Sequence, residues 1–291
     1  MTESPGLRPV PAAMPALVTP FDAAGVIDES AHEHNVAHLA GRGVTGFLIA
    51  GSTGEGPYLL PGERRTLLVA ARRAAPGSFL LGGVAAQSVA QATAQLAELD
   101  DADAALVVTP TAFVSSVEHQ VGYYSAVADA ATKPVWLYTV PKVTGYNLPV
   151  PAVVALATHG NIVGIKDSSG IPERIGDIRG SCPPGFLIYV GASSALAASW
   201  RRGCNGAITA SSNYTFSLVD QLVKLDPADA AIDLLQARLT EVAGRVEAYG
   251  VPGTKAMATL AGLQAGHPRA PLATLDADSI DGLSKAVTSL L

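Results

Sequence analysis

The sequence predicts an α/β fold, a (β/α)8 or TIM barrel with a C-terminal helical extension, and three observations lead to it. Eight short apolar runs recur along the chain, the segments between them carry apolar residues near a 3.6-residue period, and 291 residues suit one barrel with added helices. The runs are continuous rather than alternating, which is typical of parallel strands that are covered on both faces. An open doubly wound sheet has the same rhythm and is the alternative architecture.

Each element has local support. The predicted strands are Ala13–Val18, Gly46–Ala50, Phe79–Gly83, Ala104–Val108, Val135–Tyr138, Ile162–Lys166, Phe186–Val190 and Gly206–Thr209. The helices that follow them are Ser30–Gly41, Pro61–Ala75, Ser88–Asp100, Val117–Ala131, Pro149–His159, Pro172–Arg179, Ser194–Arg202 and Phe216–Leu225. Pro61 and Pro149 lie near helix starts, where a missing N–H costs nothing, and Gly41 and Gly43 follow the end of the first helix.

Three more helical segments follow the eighth unit: Pro227–Tyr249, Pro252–Gly262 and Asp276–Leu291. They are too long for a tail, so we expect them to pack on the barrel. The predicted organisation is an N-terminal tail over residues 1–12, a catalytic barrel domain over 13–226 and a C-terminal extension over 227–291.

Composition narrows the function classes. The chain is 48% hydrophobic and 15% charged, which predicts a large core, and its net charge is -6 without a Lys/Arg-rich run. We therefore expect neither nucleic acid nor a membrane as a partner. The start of the chain lacks the pattern of an export signal, and no stretch has the length of a membrane span. We predict a cytoplasmic protein whose Cys182 and Cys204 are reduced.

Lys166 is the main candidate catalytic residue, because reacting groups of a β/α barrel lie at the C-terminal ends of its strands. It ends the apolar strand within Asn161–Gly170. Burial disfavours the charged form of an amine and leaves a neutral fraction that can attack a carbonyl carbon. A structural lysine paired with Asp167 is the alternative. The other five lysines fall in loop or helix contexts where we expect the ammonium to stay hydrated: Lys133, Lys142, Lys224, Lys255 and Lys285.

Two further strand ends carry candidate residues. The loop Gly51–Gly56 follows the second strand, and its successive N–H groups, with the hydroxyls of Ser52 and Thr53, suit a carboxylate better than a phosphate. Tyr138 ends the fifth strand, where a phenol can move protons between a substrate oxygen and solvent. A buried structural tyrosine is the alternative for Tyr138.

Other groups of reactive side chains are weaker candidates for a metal site or a catalytic site. His32, His34 and His38 lie on the first outer helix, away from the strand ends, and we interpret them as a solvated helix face rather than as metal ligands. Ser193 and Ser194 lack the setting of a hydrolase nucleophile. We predict no metal and no organic cofactor.

Several of these segments occur together, in order, in one family. Val18–Phe21, Gly51–Glu55, Val108–Pro110, Leu137–Pro141 with Thr144–Gly145, and Gly164–Asp167 resemble the dihydrodipicolinate synthase and N-acetylneuraminate lyase family of class I aldolases. The resemblance runs from about Pro15 to the C-terminus. It implies that Lys166 forms an imine with a 2-oxo acid, that Tyr138 relays protons, and that Ser52 and Thr53 hold the carboxylate. Ile208 would lie against the substrate.

Within the family, the chain resembles 4-hydroxy-2-oxoglutarate aldolase over Leu148–Val154, Asn161–Ser168, and Tyr249–Gly253 with Pro268–Leu272. That likeness implies that Ser168 assists the carbinolamine steps. Gly191 is a further candidate for substrate binding, as is Asn213, for which a structural turn is an equal alternative.

Two departures from the family pattern limit what can be transferred. Val143 stands where the synthase has an arginine for the aldehyde's carboxylate, which would remove a charge-assisted bond of about 1.5–3 kcal/mol and leads us to expect that dihydrodipicolinate synthesis is disfavoured. The usual second tyrosine is missing from Thr111–Phe113, next to Ala112. Ser52, water, Tyr58 or Tyr146 are the candidates to replace it in the proton relay.

The sequence therefore predicts a carbon–carbon lyase that cleaves or forms a bond in a 4-hydroxy-2-oxo acid, with pyruvate or a similar 2-oxo acid bound as an imine. Alternatives are a dehydratase or deaminase acting on a 2-oxo sugar acid or cyclic imino acid, a metal-dependent class II aldolase, and a non-catalytic barrel that senses 2-oxo acids. The family resemblance also implies a homo-oligomer, a tetramer or a dimer.

Overall fold

A computed structural model describes residues 8–112 and 116–288 of the chain. The strands are β1 (Ala13–Pro15), β2 (Gly46–Ile49), β3 (Phe79–Val84), β4 (Ala104–Val108), β5 (Val135–Thr139), β6 (Ile162–Asp167), β7 (Leu187–Val190) and β8 (Gly206–Thr209). The helices are α1 (Glu29–Gly41), α2 (Glu63–Ala74), α3 (Val89–Leu96), α4 (Val117–Ala130), α5 (Pro141–Thr144), α6 (Val150–Leu156), α7 (Pro172–Ser181), α8 (Leu196–Trp200), α9 (Ser212–Leu222), α10 (Ala231–Glu247), α11 (Gly250–Leu260) and α12 (Ala277–Thr288).

The strands form one parallel sheet that closes on itself. Their order is β1-β8-β7-β6-β5-β4-β3-β2. A bridge between Ala16 and Leu48 joins the first strand to the second, with Leu17 N donating to Leu48 O at 3.0 Å. The fold is therefore a (β/α)8 barrel, as predicted, and the doubly wound alternative is wrong because an open sheet would leave those two strands unpaired.

Two apolar layers hold the barrel together, because successive side chains of a strand point to opposite faces. The inner layer fills the barrel and includes Met14, Leu48, Leu106, Trp136 and Tyr189, with the rings of Trp136 and Tyr189 5.1 Å apart. The outer layer lies between strands and helices and is much larger. This explains why the strands have continuous apolar sequences.

The helices differ from the sequence-based boundaries mainly at their ends. The eighth barrel helix begins at Ser212 instead of Phe216, and a non-helical residue, Thr215, interrupts it. The short helix α5 was not predicted and ends at Gly145, whose φ of 69° is left-handed. The last predicted helix runs past the final described residue, so its end lies outside the description.

The three C-terminal helices pack on one another and on α9. Val242, Val246, Met257 and Leu283 form a small core with the barrel residue Tyr214. Cys182 and Cys204 are both buried and unpaired, as predicted. Over the described ranges, no helix combines the length and the apolar character needed to cross a membrane.

Candidate active site

Lys166 and Tyr138 lie side by side at the C-terminal ends of β6 and β5. The sheet register pairs them directly. Lys166 Nζ lies 4.5 Å from the centroid of the Tyr138 ring, and the residues are 4% and 5% exposed. Within the described ranges, Lys166 Nζ has no ion pair with a carboxylate. The amine is thus enclosed beside an aromatic ring and has no carboxylate bound to it among the described residues.

Asp167 does not pair with Lys166, because the next residue of a strand points to the other face. Its carboxylate forms an ion pair with Arg174, with 2.6 Å between Nε and Oδ2, and also accepts a hydrogen bond from Ser169 N at 2.9 Å. Asp167 is 1% exposed. The alternative in which Asp167 pairs with Lys166 is therefore wrong.

The loop after β2 brings Ser52 to this pair. Ser52 Oγ lies 3.4 Å from Tyr138 OH, a long hydrogen bond in which either hydroxyl can be the donor. The loop is tightly folded, with left-handed backbone at Ala50 (φ 59°) and Glu55 (φ 57°). A Cβ at Gly56 would come 2.1 Å from Ala50 O, which explains the glycine.

These side chains line one cavity of about 240 Å³. Its lining comprises Ser52, Thr53, Tyr138, Val140, Lys142, Val143, Lys166, Ser168, Gly191, Ala192, Ala210, Glu247, Gly250, Val251 and Thr254. A second cavity of about 200 Å³ shares Ser52, Tyr138 and Val143 with it and extends towards β3 and β4. Six of the predicted site residues thus meet in one space that could hold a small 2-oxo acid.

Gly191 keeps the Lys166 side chain in place by lacking one of its own. A Cβ at this position would lie 1.8 Å from Ser168 Oγ and 2.9 Å from Lys166 Cε. Any larger residue would therefore push the amine or the serine out of position. Ser168, which follows β6, is anchored by its N–H to Thr139 O at 2.9 Å.

Ile208 and Asn213 line neither of these two cavities. Ile208 is fully buried among the inner barrel side chains and is not part of the cavity wall. The Asn213 amide accepts from Val18 N at 3.1 Å and donates to Ala16 O and Ala210 O at 2.8 Å each. It connects β1 to the segment after β8, so the structural alternative describes it better than substrate binding.

The candidates to replace the missing tyrosine in the proton relay also differ in their distance from the cavities. Ser52 touches Tyr138, whereas Tyr58 and Tyr146 line neither cavity. The place of the missing tyrosine is partly outside the described ranges, which resume at residue 116. Gln87 Oε1 accepts from Thr111 N and Ala112 N, both at 2.9 Å, and fixes the described part of that loop.

Sequence reasoning missed Glu247, which enters the cavity from the last turn of α10. Burial raises the pKa of its carboxyl group, while a hydrogen bond from Ser193 and the charge of Lys142 oppose the shift. Ser193 Oγ lies 3.3 Å from Glu247 Oε1. No local signal marks this position, since it depends on how α10 packs over the barrel.

Two other predictions about side-chain environment were wrong. Lys255 was expected to be hydrated but is 3% exposed, and its Nζ forms a 2.6 Å ion pair with Glu55 Oε1. His32 was expected on a solvated face but is 1% exposed, because that side of α1 packs against α2. His34 and His38 stack with ring centroids 5.8 Å apart. No cluster of three or more His, Cys, Asp or Glu side chains suitable for a metal occurs within the described ranges.

A barrel with a buried lysine, a tyrosine and two hydroxyls at its strand ends defines an enzyme class, the class I aldolases, which are lyases. The comparisons give the family. Residues 10–290 match the model of the dihydrodipicolinate synthetase family, and the chain belongs to that family. Imine formation with pyruvate is the chemistry of its members.

Individual relatives agree with this placement. The chain is 34% identical to 4-hydroxy-tetrahydrodipicolinate synthase of Xylella fastidiosa, with 94% of each chain covered. It is 31% identical to the enzyme of that name from Synechococcus sp., covering 100% of this chain and 99% of the other. YagE, a prophage protein of the dihydrodipicolinic acid synthase family from Escherichia coli K12 solved with pyruvate, has a TM-score of 0.90 at 25% identity, over 96% of this chain and 98% of its own.

These names correct one expectation. Val143 led us to expect that dihydrodipicolinate synthesis is disfavoured, but the relatives carry the synthase name, so the comparisons do not disfavour that reaction. One missing arginine is a weak argument because a carboxylate can be bound by other groups, and Lys142 lines the same cavity. The likeness to 4-hydroxy-2-oxoglutarate aldolase is not shown by these relatives.

Proposed function

We propose that this enzyme cleaves and forms the carbon–carbon bond of a 4-hydroxy-2-oxo acid, with the 2-oxo acid fragment held as an imine on Lys166. The observation that carries the proposal is the position of the Lys166 amine, buried beside Tyr138 and in one cavity with Ser52. The loop carrying Ser52 and Thr53 offers hydroxyls and N–H groups to the carboxylate.

The chemistry follows from these positions. Neutral Lys166 attacks the C2 carbonyl carbon, and loss of water gives a protonated imine that withdraws electrons from the C3–C4 bond. As that bond breaks, the C4 hydroxyl becomes the aldehyde carbonyl and its proton passes through Tyr138 towards Ser52. The resulting enamine takes up a proton at C3, and water then releases pyruvate and the free amine. We assign to Ser168, which lines the same cavity, the assistance of the two steps that involve water.

Two substrates test the finer assignment. Sequence likeness favours 4-hydroxy-2-oxoglutarate as the substrate, and the names of the relatives favour the synthesis of 4-hydroxy-tetrahydrodipicolinate. Product analysis with each substrate distinguishes them. A dimer or tetramer, a cytoplasmic location and a boundary near residue 226 between barrel and extension stay predictions.

Borohydride reduction in the presence of pyruvate tests the shared step. We expect the reduced pyruvate adduct in the intact mass, and peptide mapping should place it on Lys166. Reduction without pyruvate and reduction of Lys166→Ala serve as controls. An adduct on another lysine, or no adduct with any 2-oxo acid, would contradict the proposal.

A further inference from the structure

The C-terminal extension forms part of the cavity that contains Lys166. Glu247, at the end of α10, lines it together with Gly250, Val251 and Thr254, which lie at the start of α11. The 2-oxo end of a substrate is fixed by Lys166 and the Ser52 loop, if the proposed function holds. The remainder of the substrate must then use the other lining groups, and Glu247 is the one acid among them.

Two serine hydroxyls hold the Glu247 carboxylate in position. Its Oε1 accepts from Ser193 Oγ at 3.3 Å, and Ser193, which is 1% exposed, is in turn 2.9 Å from Ser211 Oγ. Within the described ranges, the second carboxylate oxygen, Oε2, has no hydrogen bond to another side chain or to the backbone. Glu247 is half-buried and lines the cavity, so this oxygen can accept a hydrogen bond from a ligand there.

Two features limit how far positive charge can offset the negative charge of Glu247. Lys142 lines the same cavity, but it is exposed, and water screens an exposed cation. Its neighbour Val143 is 64% exposed and carries no charge. The tail of the substrate therefore meets a fixed anion that is only partly offset.

We propose that Glu247 is a specificity residue that accepts a hydrogen bond from a hydroxyl on the substrate tail and disfavours a tail that ends in a second carboxylate. A hydroxyl supplies the missing donor, whereas a carboxylate adds a like charge that must be repelled or protonated. The favoured class is then a 2-oxo sugar acid with a neutral, hydroxylated tail. This inference rests on the proposed function and differs from the sequence likeness, since 4-hydroxy-2-oxoglutarate has a carboxylate tail.

The test compares two substrates of equal chain length, 4-hydroxy-2-oxoglutarate and 4,5-dihydroxy-2-oxopentanoate. We expect the unmodified enzyme to have the higher kcat/KM with the dihydroxy acid. Glu247→Gln keeps the shape and removes the charge, and we expect it to shift the ratio of the two kcat/KM values towards the dicarboxylate by about 10-fold or more. The control Glu241→Gln changes an exposed residue of the same helix, paired with Arg245, and should leave the ratio unchanged.

Lys142→Met is a second test, and it should shift the ratio of the two kcat/KM values in the opposite direction. Removing the cation leaves Glu247 unopposed, so the preference for the dihydroxy acid should widen. This variant also decides the question if Glu247→Gln does not fold.

The two proposals fail in different ways. If borohydride traps pyruvate on Lys166 but the unmodified enzyme prefers the dicarboxylate, or the ratio does not respond to the variant that folds, the role of Glu247 is overturned and the lyase function stands. If no pyruvate is trapped, the proposed function fails and the role of Glu247 fails with it.

Discussion

Among residues 8–112 and 116–288, two lysines are buried, and their surroundings are opposite. Lys166 and Lys255 are 4% and 3% exposed, and each amine lies over an aromatic ring, at 4.5 Å from Tyr138 and 4.9 Å from Phe21. Lys255 Nζ also forms an ion pair with Glu55 at 2.6 Å and donates to His267 O at 2.5 Å. Lys166 faces a cavity and has no such carboxylate partner within the described ranges.

This difference shows how one residue type serves two purposes. Burial lowers the pKa of Lys255, and the charge of Glu55 opposes that shift, so the pair stays together as a structural ion pair. It connects the loop that carries Ser52 to helix α11, and Arg269 N adds a 2.7 Å hydrogen bond to Glu55 Oε2. A lysine that must react needs enclosure without a carboxylate bound directly to it, and within the described ranges Lys166 has no such ion pair.

The largest expected effect comes from removing the unpaired lysine. We expect Lys166→Ala to lower kcat by about 1,000-fold or more, because no imine can form. The free energy of unfolding should change by no more than about 1 kcal/mol, since no ion pair is lost. Steady-state kinetics and urea unfolding measure the two quantities. Retention of turnover would remove Lys166 from the mechanism.

Replacing Lys255, the lysine paired with Glu55, should lower stability and leave imine formation intact. Lys255→Met strands Glu55 as a buried, unpaired carboxylate, so we expect the free energy of unfolding to fall by about 3–5 kcal/mol. Urea unfolding followed by circular dichroism gives the value. Where the protein stays folded, pyruvate trapping on Lys166 should persist.

A double variant separates the stranded charge from lost packing. Glu55→Gln combined with Lys255→Met removes both charges, and we expect it to recover a large part of the loss. If the double variant is as unstable as Lys255→Met alone, packing rather than charge explains the effect, and the contrast between the two lysines is weaker than proposed.

The same contrast marks the limit of what the sequence could predict. The eight strands and the barrel were predicted because continuous apolar runs separated by helical periods encode a covered parallel sheet. Lys166, Tyr138 and Ser52 could be brought together from the sequence because strand ends of a barrel share one face.

The errors concern side chains whose surroundings depend on how helices pack. Lys255 lies on α11 and Glu247 on α10, and a helical context by itself suggests a hydrated side chain. Both are enclosed because the C-terminal helices fold back over the barrel mouth, an arrangement set by contacts distant in sequence. For Asn213 the sequence left substrate binding and a structural turn equally open, since its partners Ala16 and Val18 lie at the other end of the barrel sequence.

Another buried base, His32, extends the comparison of the two lysines, and its replacement has the smallest expected effect. Burial lowers its pKa from 6.5 to about 4, with a weaker opposing contribution from the backbone of Leu67. Within the described ranges, neither ring nitrogen has a hydrogen-bond partner of good geometry. His32, a buried base without a partner, thus stays neutral, whereas Lys255 has the carboxylate of Glu55 as its partner.

The sign of the pH dependence follows from linkage. Because the folded state binds the His32 proton less readily than the unfolded state, its contribution to stability is complete above pH 6.5 and is lost as the pH falls to about 4. We expect this histidine to account for about 3 kcal/mol of acid destabilisation over that range. His32→Leu should flatten the plot of unfolding free energy against pH between these values, with the exposed His34→Gln as control. Equal slopes for His32→Leu and the unmodified protein would mean that His32 is already solvated or charged in the folded state, and that enclosure alone does not keep a base neutral in this barrel.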